Sequence, residues 1–397
     1  MSWWYNRLST STEAVKRATK ASVGSAKRPP HMRVSGLSAA GLPVFPSLAM
    51  VDPSSVASRG TVASTRAAYP VQGLSRRAII SMAHLQPRTM PTTLRIATRR
   101  SPLAMVQTRS VAETLCKQDP SLEVELVPVQ TQGDIDKTAP VTGPISGKGV
   151  FIDALRDAIT QGRAELAVHS MKDVPATAPD SLALQTFGRR ADVRDALVVR
   201  EDAQGRSLVD LPPDTVVGTS SIRRRALLAT LVNGIATMPL RGNVDTRLRR
   251  LDEGVCDALL LASAGLDRLG LGERIAQRID PEVLVPAPGQ GALAVEFNAR
   301  DDELKDRLRS GIHGDVEDCV RAERELTRRL GADCAVPLGA HGVRENGKLR
   351  MIAVVAAPDG SRLLRVELTG DDPIELGGQA ADSLERLGAR ELLGNDG

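Results

Sequence analysis

From Leu94 onward the chain alternates between short apolar runs and stretches with helical spacing. LRIAT (94–98) reads as a strand, and Pro102 opens a helical pattern that runs to about Lys117. LEVELVPVQ (122–130) is a second strand, FIDALRDAIT (151–160) a helix, and ELAV (165–168) a buried strand. DALVVR (195–200), TVVG (215–218), ATMPL (236–240) and CDALLLA (256–262) continue the series, with helical stretches between them. Strands alternating with helices predict parallel, doubly wound α/β sheets covered on both faces. After Gly314 the order changes. A helix from about 315 to 330, a loop, two strands (350–357 and 361–368) and a last helix (379–393) form an α+β module with its own small core.

In doubly wound sheets ligands sit beyond the carboxyl ends of the strands, and there the polar residues collect. LRIAT is followed by Arg99, Arg100 and Ser101, and ELAV by His169, Ser170, Met171, Lys172 and Asp173. TVVG leads into Thr219, Ser220, Ser221, Ile222, Arg223 and Arg224. ATMPL leads into the stretch Arg241 to Arg247, and CDALLLA into Ser263 to Arg268. Cations, hydroxyls and helix N-termini are the components of anion sites. A single arginine would ordinarily be a solvated surface charge, but five strand ends in succession point to a polyanion held in a cleft. GPISGKG (143–149) lacks the hydroxyl and the spacing of a nucleotide phosphate loop. Many separate arginines, each able to hold a carboxylate in two-point contact, suit a ligand with carboxylates spread along its length.

Charge sharpens this picture. Residues 1–93 hold twelve of the 52 Lys and Arg but only Glu13 and Asp52 of the acids, so this stretch is +10 while the remainder is −6. An acidic body with 2% aromatic residues argues against a nucleic-acid binder, because it offers no basic footprint and no stacking platform. No apolar run reaches the length of a membrane span. The basic, acid-poor stretch 1–91 reads as an organelle transit peptide; alternatively, translation starts at Met90. The four cysteines, Cys116, Cys256, Cys319 and Cys334, show no zinc spacing. Only Cys334 sits in a glycine-containing loop, after the cationic helix end at Arg328 and Arg329, where a thiolate is favoured.

AVHSMKDVP, VGTSSIRR, LRGNVDTRL, AGLDRLG, PGQGA and GADCAVPLGAH occur in the order and spacing of one family. From about residue 92 to 397 the chain resembles porphobilinogen deaminases (hydroxymethylbilane synthases). The resemblance implies two type II periplasmic-binding-protein-like domains, 92–190 with 290–312 and 191–289, and a third α+β domain at 313–397. It implies a monomer that binds porphobilinogen and carries a dipyrromethane cofactor on the Cys334 sulfur, with no metal. It makes Asp173 the catalytic acid–base group. Lys172, Thr219, Ser221, Arg223 and Arg224 are then cofactor-binding residues. Arg99, Ser101, Gln107, Lys148, Arg241, Arg247 and Arg268 are the substrate-binding ones. Arg225 would face away from the cleft, and His169 would only pack or hydrogen-bond. Asp153 stands where many members have a lysine, Ala332-Asp333 where smaller residues are commoner, and Pro288 where a small or β-branched residue is common. The family's role in tetrapyrrole synthesis makes the plastid the expected compartment, ahead of the mitochondrion, or the cytoplasm if translation starts at Met90. The competing reading is a non-catalytic two-domain solute-binding protein, against which Asp173, Cys334 and the third domain count.

Overall fold

The computed structural model describes residues 93–129, 149–332 and 336–393. In the first lobe, β1 (Thr93–Arg99), β2 (Glu123–Val129) and β3 (Leu166–Ser170) run parallel, with α1 (Pro102–Gln118) and α2 (Gly149–Thr160) between them. The Ser101 side chain accepts from the Ala104 N–H, and Pro102 occupies a first-turn position where its missing N–H costs nothing. Successive residues of β1 serve two cores. Leu94 and Ile96 pack with Val111 and Leu115 of α1, while Ala97 joins Leu155 and Ala158 of α2. Burial on both faces is what a mostly parallel sheet requires.

After β4 (Leu182–Phe187) the chain crosses to a second lobe. This contains β5 (Asp195–Val199), β6 (Val216–Gly218), α3 (Ile222–Leu231), β7 (Ala236–Met238), α4 (Val244–Asp252), β8 (Ala258–Ala262), α5 (Ser263–Arg268) and β9 (Gln277–Ile279). It then returns as β10 (Leu293–Asn298), followed by α6 (Asp302–Leu308). The strand orders are β2-β1-β3-β10-β4 and β7-β6-β8-β5-β9. Both sheets therefore have the same plan, in which one strand opposes the other four. The opposed strand is in each case the first one after a crossover, β5 in one lobe and β10 in the other. This corrects the expectation of wholly parallel sheets: a strand entering from the other lobe takes its direction from the crossover, not from a local helix. Two lobes, two crossovers and this strand order are the type II periplasmic-binding-protein arrangement.

The third domain consists of α7 (Gly314–Arg329), an antiparallel sheet of β11 (Leu338–Glu345), β12 (Lys348–Ala356) and β13 (Leu363–Gly370), then α8 (Pro373–Arg386) and α9 (Ala389–Leu393). It has three strands where the sequence predicts two. LGAHGVRE, with two glycines and mixed polarity, hides β11. Asp372 caps α8 by accepting from the N–H groups of Ile374 and Glu375, so the helix begins earlier than its apolar spacing suggests. The domain has its own core, including Leu326, Leu349, Met351, Leu376 and Leu384. It also leans on both lobes. Ile352 and Val354 of β12 pack with Leu227, Leu284 and Val285 of the second lobe, and Val320 of α7 packs with Met171 and Val174 of the first.

Candidate active site

The candidate residues fall where strand ends and helix starts meet. Arg99 closes β1, Ser101 caps α1, and Lys172 and Asp173 form a single 3-10 turn directly after β3. That turn stops at Val174, before Pro175, so Asp173 does not cap a following helix. Buried Gln107 on α1 donates to Ser170 Oγ at 2.8 Å and so braces the end of β3. Buried Thr219 and half-buried Ser221 bridge β6 to α3; the Ser221 hydroxyl caps the helix at the Arg224 N–H. Arg241 is exposed after β7, while Arg247 on α4 and Arg268 at the end of α5 are half-buried. Lys148 and Cys334 lie outside the described residues.

Helical geometry separates the three adjacent arginines. Arg223 and Arg224 are 3% and 6% exposed, and Arg225 is half-buried. The two buried guanidiniums, expected to hold the cofactor's carboxylates, share one acidic partner within the chain. Both reach Asp195 at the start of β5. Arg223 Nη2 lies 2.7 Å from Oδ2, and Arg224 Nη2 lies 2.7 Å from Oδ1. Their remaining contacts go to the carbonyls of Val285 and Leu260. Gln290 Nε2 donates to the same carboxylate at 2.8 Å, and Gln290 Oε1 accepts from Lys172 Nζ at 3.3 Å. A buried charge needs such partners. Burial raises the Asp195 pKa, but Arg223, Arg224 and the Gln290 hydrogen bond outweigh it and hold the carboxyl well below the usual range. Two cations around one anion leave a net positive wall, and Arg223 Nε stays buried without an acceptor.

Asp195→Ala is expected to be among the most destabilising changes in the second lobe. Two buried cations would lose their counter-ion, at a cost of about 3–5 kcal/mol. The carboxyl pKa is lower in the folded protein than in the unfolded chain. Its contribution is therefore fully present above about pH 4 and fades only as pH falls towards the folded value. Urea unfolding at neutral pH measures the loss; a change below about 1 kcal/mol, the scale of an exposed pair, would contradict the geometry.

Asp173 and Arg247 come from opposite lobes and are electrostatically coupled. Burial depresses the Arg247 pKa to about 10, Arg224 adds to this, and Asp173 opposes it. A guanidinium does not give up its proton in a protein, so Arg247 stays a cation, and its Nε donates to Gly242 O at 2.8 Å. Burial depresses Arg268 in the same direction, and its Nη2 donates to Gly291 O at 2.8 Å.

The returning crossover is pressed against this turn. Gly289 has φ +72°, and a Cβ there would lie 2.7 Å from Met171 Cγ; at Gly291, with φ +88°, it would lie 2.5 Å from the Ala191 carbonyl oxygen. Only glycine fits both the conformation and the space.

Sequence reasoning assigned no role to Asp195, Gln290, Arg190 or Glu323. Arg190 makes a two-pronged ion pair with Glu323 of α7, at 2.8 and 2.9 Å, and its Nε donates to Gln290 O at 2.9 Å. Fully buried Glu323 also accepts from the N–H groups of Gly289 and Gly342. An acid opening the apolar strand DALVV, and another on the buried face of α7, were the available signals. His169 Nε2 lies 3.2 Å from Glu296 Oε2 of β10. Among the described residues no cluster of His, Cys, Asp and Glu could hold a metal, and no helix is long and apolar enough to cross a membrane.

The family model described as the dipyromethane cofactor binding domain of porphobilinogen deaminase matches residues 94–306, and the one for that enzyme's C-terminal domain matches 318–386. The chain belongs to the porphobilinogen deaminase family. It is 44% identical to the porphobilinogen deaminase of Paraburkholderia phymatum over 312 residues, 77% of this chain and 94% of that one. It is 45% identical to that of Thiobacillus denitrificans over 305 residues, 76% and 98% of the two chains. The solved Bordetella pertussis BvgS VFT2 domain overlaps 64% of this chain and 97% of its own, at 16% identity and TM-score 0.36. The strand orders above, not this overlap, define the fold. As a porphobilinogen deaminase family member the chain is a transferase with a dipyrromethane-binding domain.

Proposed function

We propose that this chain condenses four porphobilinogen molecules head to tail, with loss of ammonia at each addition, on a dipyrromethane primer. Hydroxymethylbilane is then released by hydrolysis. The observation that carries the reading is the placement of Lys172 and Asp173 on a turn at the end of β3, with Lys172 joined through Gln290 to the net positive wall of Arg223, Arg224 and Asp195. Each porphobilinogen brings an acetate, a propionate and an aminomethyl group. Their carboxylates need cations in a partly dry cleft, and the departing ammonia needs a proton.

The donor set fits the cofactor. The wall formed by Arg223, Arg224 and Asp195 is net positive, Lys172 is oriented by Gln290, and hydroxyls of Thr219 and Ser221 adjoin it. Such a set suits a polycarboxylate, while the Asp173 carboxylate suits pyrrole N–H donors. Lys172, Thr219, Ser221, Arg223 and Arg224 would hold the cofactor, the two arginines acting mainly through the net charge they leave beyond Asp195. Bound dipyrromethane supplies a free pyrrole α-carbon as nucleophile. Asp173 stabilises the cationic substrate ring and moves its protons. Arg99, Ser101, Arg241, Arg247, Arg268 and Lys148 bind the carboxylates of substrate and growing chain, with Gln107 orienting Ser170. We place the primer on the Cys334 sulfur as a thioether, the protein as a monomer acting on a small molecule without nucleic acid or membrane, and residues 1–91 as a plastid transit peptide. The mature N-terminus, mapped from the native source, tests the last point.

Purified protein should release four ammonia per hydroxymethylbilane formed. Porphobilinogen consumption without that product would overturn the reading. Arg223→Leu and Arg224→Leu each neutralise the net positive wall and open a buried network, so mostly cofactor-free, inactive protein is expected. Arg225→Leu should keep cofactor and activity, with a stability change of about 1 kcal/mol or less. Intact mass and turnover of the three variants check this, and equal damage from Arg225→Leu would refute the division of the run.

A further inference from the structure

The turn bearing Lys172 and Asp173 is followed by loop until β4. Met171 N–H donates to Ala292 O at 3.1 Å, and Val174 N–H donates to Met171 O at 3.0 Å. Beyond it, three successive carbonyls converge on one side chain of the third domain. Arg324 Nη1 donates to Val174 O at 3.2 Å, and its Nη2 donates to Pro175 O at 2.8 Å and Ala176 O at 3.2 Å. Val174 also packs with Val320, one turn earlier on α7. A cavity of about 250 Å3 lies between α7 and β4, with Met171, Ala176 and Arg324 in its wall. Met171 and Val174 are packed in a buried cluster, and the Arg324 hydrogen bonds add direction to that constraint where the wall opens. The neighbouring Glu323 fixes the N–H of Gly289, the glycine pressed on Met171. Two consecutive residues of α7 thus grip the two loops on either side of the acid–base turn.

We propose that Arg324 is a positioning residue for the reaction: from the third domain it sets the placement of the Asp173 carboxylate by clamping the backbone that follows it. The clamp needs a planar fork with several donors, which lysine lacks. Displacing a reacting group by about 1 Å can cost up to about 100-fold in rate.

The test uses cofactor-loaded full-length protein, with loading measured by intact mass. Arg324→Met should lower kcat per loaded molecule about 10- to 100-fold while the KM for porphobilinogen changes little, the signature of a lost transition-state interaction. Arg324→Lys, which can reach only part of the carbonyl set, should recover a fraction of the lost kcat. Arg321→Met, in the same cavity wall but exposed, should match wild type. Unchanged kcat per loaded Arg324→Met molecule, with only melting temperature or loading reduced, would make Arg324 a mere docking contact and overturn the proposal. An equal loss in Arg321→Met would overturn it too. The inference rests on Asp173 as the acid–base group. Wild-type turnover in Asp173→Asn would defeat that reading itself. Normal turnover in Arg324→Met beside an inactive Asp173→Asn would defeat only the positioning role.

Discussion

Cys334→Ser yields a folded protein with no cofactor and no hydroxymethylbilane formation. A serine oxygen is far less nucleophilic near neutral pH than a thiolate and cannot replace it as the anchor. The other cysteines are poor substitutes. Cys256 and Cys319 are buried, and burial pushes both thiols up, Cys319 to about 11 with Glu323 adding to the rise. Cys116 lies on α1, near its C-terminal end, with its thiol 3.6 Å from the Leu122 carbonyl oxygen. A raised thiol pKa means little thiolate at neutral pH and slow attachment. The variant's circular dichroism should match that of wild type while its intact mass lacks the adduct. A pyrrole adduct on purified Cys334→Ser would assign the anchor to another cysteine.

Asp173→Asn differs in kind. Asparagine keeps the shape and can still accept hydrogen bonds, but it can neither take up a proton nor offset the positive charge of a ring that has lost ammonia. Turnover should fall about 100-fold or more, the scale of losing a positioned acid–base group. Cofactor attachment should survive in part, because the cationic wall built on Asp195 is untouched. The informative measurement is kcat per loaded molecule. Near wild-type turnover would remove Asp173 from the chemistry, whatever the state of the cofactor.

The site was legible because the signals were local. A short apolar run followed by arginine, serine and a helix start marks a strand end from sequence alone, and the burial of Arg223 and Arg224 beside half-buried Arg225 follows from helical periodicity. Partners were not legible. Asp195 is 22 residues from Asp173 and 28 from Arg223 along the chain, and nothing in DALVV announces that two arginines and Gln290 converge on it. The opposed direction of β5 and β10 is likewise a property of the crossovers between lobes, which periodicity does not encode. β4, β9, β10 and β11 escaped; in β4 and β11 polar and glycine residues interrupt the apolar run. Arg324 is invisible for a further reason: its acceptors are backbone carbonyls, which leave no trace in the sequence.

Stepwise growth on a bound primer is the central claim, and one measurement reaches it directly. Wild-type protein is mixed with less porphobilinogen than enzyme, quenched in acid, and weighed intact. The denatured chain should carry two pyrrole units before substrate is added, and afterwards a ladder of species each heavier by one further pyrrole unit. A chain of bare polypeptide mass, or a single adduct that does not extend, would contradict the account.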